Sequence, residues 1–154
     1  MAILDATNGL VQSFTWGTDA SGTMQGAGGV GGLISMTVHQ GTNAGTYFYC
    51  FDGTYNVTAL VNATNGAVAA QYEYDAFLGI LRATGPLAFE NPFVGSTKFC
   101  DLETGFLYYG YRYYDPETGR WFSRDPIEET GGINTFAFAA NSPETKFDRL
   151  GLCA

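Results

Sequence analysis

Few residues in this chain have the types and spacing needed for chemistry. His39 is the only imidazole, and the three cysteines, Cys50, Cys100 and Cys153, lie far apart with no CxxC pair. Zinc is held by closely paired Cys and His ligands, so this spacing argues for free or buried thiols and no metal site. His39 ends the apolar, β-branched run from Leu33, with no acid beside it in sequence. It reads as a strand histidine and not as the base of a Ser or Cys nucleophile. Gly26, Gly28 and Gly31 spell GxGxxG. A dinucleotide cradle needs a strand before those glycines and a helix after them. The run from Leu33 to His39 has no helical period, so the expectation is a glycine-rich loop with close backbone approach and no cofactor.

Composition narrows the class. The 154 residues are 45% apolar and only 14% charged, with 21 glycines, which favours many short strands joined by tight turns. Residues 1–81 contain no Lys or Arg, and the net charge is −8. A nucleic-acid surface needs a basic stripe, which the first half cannot supply; in the second half Arg112, Arg120 and Arg124 alternate with Asp115, Glu117 and Asp125. No apolar run approaches transmembrane length, and the Met1 region lacks the basic start and apolar stretch of a signal peptide.

The elements that position any site are hairpins. Asn8-Gly9 predicts a two-residue turn of type I′, which needs positive φ at both central residues. Ala6-Thr-Asn-Gly9 recurs as Ala63-Thr-Asn-Gly66, and Phe14-Thr-Trp16 has its counterpart in Tyr72-Glu-Tyr74. This internal repeat points to repetitive β architecture. Asp52 and Asp75 close strands with a turn-forming carboxylate, with ion or sugar binding as the functional alternative. Residues 76–100 form a connector punctuated by Gly85-Pro86 and Asn91-Pro92. Alternation predicts one strand over residues 106–114 with both faces covered, and a short strand over residues 135–139. The segments DLETG (101–105) and DPETG (115–119) are two copies of one turn.

The run from Tyr108 to Ile127, YYGYRYYDPETGRWFSRDPI, resembles the RHS repeat-associated core of the RHS/YD-repeat family. The flanks resemble it too, through Trp16-Gly-Thr-Asp-Ala-Ser-Gly22, Asn91-Pro-Phe93 and Ser96-Thr-Lys98. The resemblance implies an all-β fold: antiparallel hairpins meandering into a curved sheet, a segment of an RHS/YD-repeat shell. It divides the chain into repeat hairpins and connector (1–100) and core (101–154). It implies a secreted or cell-surface setting, with the rest of a shell or an enclosed toxin domain as partner. Exposed sheet edges would favour self-association, and exposed aromatics offer an alternative role in stacking on cell-surface glycans.

In that family two aspartates are assigned to autoproteolysis after a terminal Leu. Carried over, they are Asp125 and Asp148, and the bond is Leu152–Cys153; on charge alone, neighbouring Arg124 is a candidate to orient one carboxylate. Two close carboxyls can divide acid and base roles between them. Glu128 stands where the family has Gly, and Arg149 where it has Pro. Only Cys153 and Ala154 come after the bond, so a cut here would release no cargo from the sequence given. The competing expectation is that both aspartates simply cap turns.

Overall fold

The computed structural model describes residues 1–131, 133–143, 145–146 and 148–152. Its main feature is a seven-stranded antiparallel sheet in simple sequence order: β1 (Ala2–Leu4), β2 (Leu10–Trp16), β3 (Leu33–Val38), β4 (Gly45–Phe51), β5 (Val57–Asn62), β6 (Val68–Tyr74) and β7 (Ile80–Thr84). A second antiparallel sheet comes after it: β8 (Phe99–Cys100), β9 (Leu107–Tyr108), β10 (Tyr113–Asp115) and β11 (Arg120–Trp121), again in sequence order. The all-β meander expected from the sequence is therefore present, and neither sheet closes into a barrel.

The turns show why these strands alternate so regularly. Asp5, Asp52 and Asp75 each build the same five-residue loop. In each, Oδ1 accepts the amides two and four residues on: Thr7 and Gly9, Thr54 and Asn56, Phe77 and Gly79, all at 2.8–2.9 Å. Each Asp amide donates to the carbonyl four residues on, and the fourth loop residue takes positive φ, at Asn8 (64°), Tyr55 (65°) and Leu78 (69°). The expected type I′ turn at Asn8-Gly9 is thus replaced by a wider loop, because the Asp5 carboxylate captures the turn amides. Asn62, Asp101 and Asp115 build a second, longer loop closed by the amide of a glycine: Gly66, Gly105 and Gly119. The paired DLETG and DPETG turns are the last two of these.

One face of the large sheet carries Phe14, Met36, Tyr47, Tyr49, Leu60 and Tyr72 into the core. The connector covers this face. Phe93 packs edge-on against Phe14 (5.0 Å) and Trp16 (5.3 Å). Buried Asn91 accepts the Tyr49 hydroxyl proton at 2.7 Å and donates to the Phe93 carbonyl at 2.7 Å. The second sheet joins the same core, and its Tyr114 hydroxyl donates to the Phe77 carbonyl of the β6–β7 loop at 2.8 Å.

Two expected strands differ. Residues 106–114 do not form one strand: the chain reverses at Tyr109–Arg112, where the Tyr109 amide donates to the Arg112 carbonyl (3.0 Å) and Gly110 takes φ 104°. β9 and β10 pair as a hairpin, with Tyr108 opposite Tyr113. One aromatic face is consequently exposed, at Tyr108, Tyr111 and Tyr113, and only the other is covered. The 135–139 stretch makes a single bridge, Ala137 to Arg120, before a 3-10 turn at Ala139–Asn141. Phe138 turns inward there and stacks on Tyr114 at 4.0 Å.

Candidate functional site

The glycine-rich stretch lies between β2 and β3 and leads into a strand, not a helix. Its organiser is Asp19. One carboxylate oxygen accepts from the Ser21 amide and hydroxyl, and the other accepts the Ala27 and Gly29 amides at 2.7 and 3.1 Å. These bonds, partly opposed by burial, hold the Asp19 carboxyl down at about 2. His39, on the exposed face, shares a 2.8 Å hydrogen bond with the Ser13 hydroxyl. Cys50 is an exposed free thiol and Cys100 a buried one, whose pKa burial pushes up to about 11. Cys153 lies outside the described residues.

The strongest concentration of buried charge is at Arg112. Its guanidinium carbon lies over the Trp121 ring at 4.1 Å, and the side chains of Arg112 and Asp125 are wholly buried. Asp125 Oδ2 is 2.8 Å from Nη2 of Arg112, and Asp148 Oδ2 is 3.8 Å from the same nitrogen. Nε donates to the Gly151 carbonyl at 2.5 Å and Nη1 to the Thr135 carbonyl at 3.1 Å. Tyr109, Tyr114, Trp121 and Phe138 pack against one another beside the guanidinium, with ring centroids 4.0–6.2 Å apart. A buried ion cluster of this kind costs desolvation and is tolerated only when its lone pairs and protons are met.

Local turns aim the two carboxylates. Asp125 Oδ1 accepts the Ile127 amide at 3.0 Å, and the Asp125 carbonyl accepts the Glu128 amide. Glu128, at the position where the family has Gly, takes the positive φ of 54° that a glycine would. Asp148 Oδ1 accepts the amides of Leu150 (3.0 Å), Gly151 (2.8 Å) and Leu152 (3.3 Å). Residues 148–152 therefore curl around one carboxylate oxygen while the other faces Arg112.

The structure brings Asp125, Asp148 and Leu152 into one neighbourhood. Arg124 is exposed and, together with Asp125, Glu128, Glu129 and Ile133, lines an open cleft of about 670 Å³. The cation between the carboxylates is Arg112, which the sequence reading did not assign to a site. Its place within an aromatic run marks it as a residue that is buried only if paired, but nothing local names the partners. Lys98 was also missed. It is 4% exposed and donates to the carbonyls of Gly28 (3.1 Å) and Arg149 (2.7 Å).

Comparisons with known proteins agree with the residues. No family model matches the chain. It is 33% identical over 107 residues to toxin subunit YenC1 of Yersinia entomophaga, covering 68% of this chain and 11% of that protein. It is 46% identical over 55 residues to toxin protein Tse5 of Pseudomonas aeruginosa, covering 36% of this chain and 4% of that protein. The fold matches the TcdB2-TccC3 crystal structure without its hypervariable C-terminal region, with TM-score 0.74 and 22% identity over 97% of this chain and 7% of that one. The chain thus spans about a tenth or less of these relatives. It carries an RHS repeat-associated core, the class that the Tyr108–Ile127 run resembles, and it is kin to toxin-associated RHS proteins. Among the described residues no helix is long and apolar enough to cross a membrane.

Proposed function

We propose that the chain is a wall segment of a larger RHS shell that encloses a toxin in the extracellular setting of its relatives. The observation that carries this reading is the open meander: seven strands in sequence order, ending in two short edge strands, β1 and β7. An edge strand presents unpaired amides and carbonyls that a neighbouring repeat can extend. Light scattering over a concentration series tests it. The expected result is association that grows with concentration and weakens when Leu81, exposed on β7, is replaced by Pro. A monodisperse monomer throughout would remove the proposal.

A second reading is favoured by the convergence of Asp125 and Asp148 on one guanidinium nitrogen. In it the chain hydrolyses its own Leu152–Cys153 bond. One carboxylate takes a proton from water as the oxygen adds to the Leu152 carbonyl carbon, and the other carboxyl protonates the carbonyl oxygen. The carboxyl that took the water proton then passes it to the nitrogen, the other recovers a proton from the diol, and collapse breaks the C–N bond to leave a carboxylic acid on Leu152, which ionises, and an amine on Cys153. Arg112 holds both acids, and Asp148 holds the Leu152 amide. Intact mass after incubation decides: loss of Cys153-Ala154 in the native chain but not in Asp125→Asn is expected, and an unchanged native mass would end this reading.

A further inference from the structure

The C-terminal segment is held almost entirely by its main chain. Three successive carbonyls are each taken by a different donor: Arg149 by Lys98 Nζ (2.7 Å), Leu150 by the Tyr111 amide (3.2 Å), and Gly151 by Arg112 Nε (2.5 Å). The three amides from Leu150 to Leu152 turn back onto Asp148. Glycines allow the close approach on both partners, Gly28 on the loop and Gly151 on the segment itself. A Cβ on Gly28 would fall 2.3 Å from the Arg149 carbonyl oxygen, and one on Gly151 would fall 3.3 Å from the Arg112 amide nitrogen.

Tyr111 and Arg112 come from the core hairpin. On the opposite side stands the glycine-rich loop, which meets the segment through Gly28. Lys98 joins these two, since the same ammonium donates to Gly28 and to Arg149. Its charge lies over the Tyr109 ring at 5.0 Å.

We propose that Lys98 is a positioning residue that clips the 148–152 segment to the glycine-rich loop, and so sets where Leu152 stands relative to Asp125 and Asp148. It touches no reacting atom in the cleavage reading, on which its catalytic relevance rests; its seating role stands apart from that reading. The groups facing it are Asp148 and Asp19, whose negative charges favour the ammonium, and Tyr109, whose burial pushes its hydroxyl pKa up. Burial outweighs the two carboxylates and brings the Lys98 pKa down to about 8. Between pH 8 and the ordinary lysine value, a released Lys98 binds a proton that the seated one lacks, so seating strengthens as pH rises.

The test uses the full chain and its Lys98→Met and Lys98→Arg variants. Hydrogen exchange at neutral pH should show the amides of Tyr111 and Leu150–Leu152 exchanging at least tenfold faster in Lys98→Met, with β3–β5 unchanged. Lys98→Arg, which keeps donors, should restore part of the protection. Urea unfolding from pH 7 to 10 supplies the second readout. The native unfolding constant should fall relative to Lys98→Met by up to about tenfold per pH unit above pH 8, a trend that neither variant shows. Unchanged exchange in Lys98→Met, or a native pH profile parallel to that of Lys98→Met, would overturn the proposal. Intact C-terminal mass, recorded on the same samples, reports on the cleavage reading separately.

Discussion

Gly28 and Arg149, from opposite ends of the chain, meet backbone to backbone: a Cβ on Gly28 would lie 2.3 Å from the Arg149 carbonyl oxygen. Gly28 also holds φ at 60°. Gly28→Ala should therefore destabilise the fold by more than the ~1–2 kcal/mol of left-handed backbone strain alone. Gly22 is the control, with φ 76° and open space around it. Chemical denaturation of both variants checks the difference; equal losses would show that the contact carries no weight.

Arg112→Met takes the guanidinium away from the buried Asp125 carboxylate and from one side of Asp148. Breaking a buried pair in this way costs roughly 3–5 kcal/mol, so a large drop in denaturation midpoint is expected. The double replacement Arg112→Met with Asp125→Asn should recover part of it, as one uncompensated charge is removed. A midpoint within experimental error of the native one would contradict the clasp.

Glu128 occupies a left-handed conformation, φ 54°, in an exposed turn. Glu128→Gly should raise stability by about 1 kcal/mol, since glycine adopts that conformation without strain. Thermal unfolding measures it, and a lower Tm would mean that the Glu side chain contributes more than its backbone costs.

Alkaline pH sets Lys98 against the buried tyrosines and Cys100. Tyr72 is pushed up to about 12 by burial, partly offset by its hydrogen bond from Asn91, with the Cys100 thiolate adding to the rise. A raised folded pKa means that its stability is whole below pH 10 and is lost as pH climbs from 10 toward 12, at ~1.4 kcal/mol per unit. Lys98 acts in the other direction between about pH 8 and 10.5. Cys100, raised to about 11, opposes Lys98 from pH 9 upward, and buried Tyr49, Tyr74, Tyr109 and Tyr114, all raised by burial, add to the loss above pH 10; Tyr72→Phe should therefore make that decline shallower by ~1.4 kcal/mol per unit without removing it. Equilibrium unfolding over pH 8–12 gives both slopes.

Thiol reactivity tracks exposure. In a Cys153→Ser background, Cys50 should label with maleimide within minutes at neutral pH, whereas Cys100, buried with its pKa raised to about 11, should label only on unfolding. Peptide mapping distinguishes the two sites.

Much of the architecture was legible in local chemistry. Asp residues at strand ends and the repeated D-x-E-T-G turns do what their side chains dictate, and the matched Phe14-Thr-Trp16 and Tyr72-Glu-Tyr74 triplets share one pattern of burial. The core hairpin was not legible. Its alternation continues without a break through residues 106–114, yet the buried set changes phase, from Leu107 and Tyr109 to Arg112 and Tyr114. Only the reversal at Gly110 explains the slip, and a single glycine is a weak signal. Asp125 and Asp148 were reachable through family likeness. Their cation was not, because pairing between Arg112 and two acids depends on contacts between distant segments that no local period records.

The simple strand order has a consequence for how the molecule is made. Each strand of β1–β7 can pair with its predecessor as soon as it leaves the ribosome, so the large sheet forms by local closure. The charged clasp obeys a different schedule. Arg112, Lys98 and the glycine-rich loop must wait, partly unsatisfied, until residues 148–152 arrive, so the clasp closes only after the large sheet has formed.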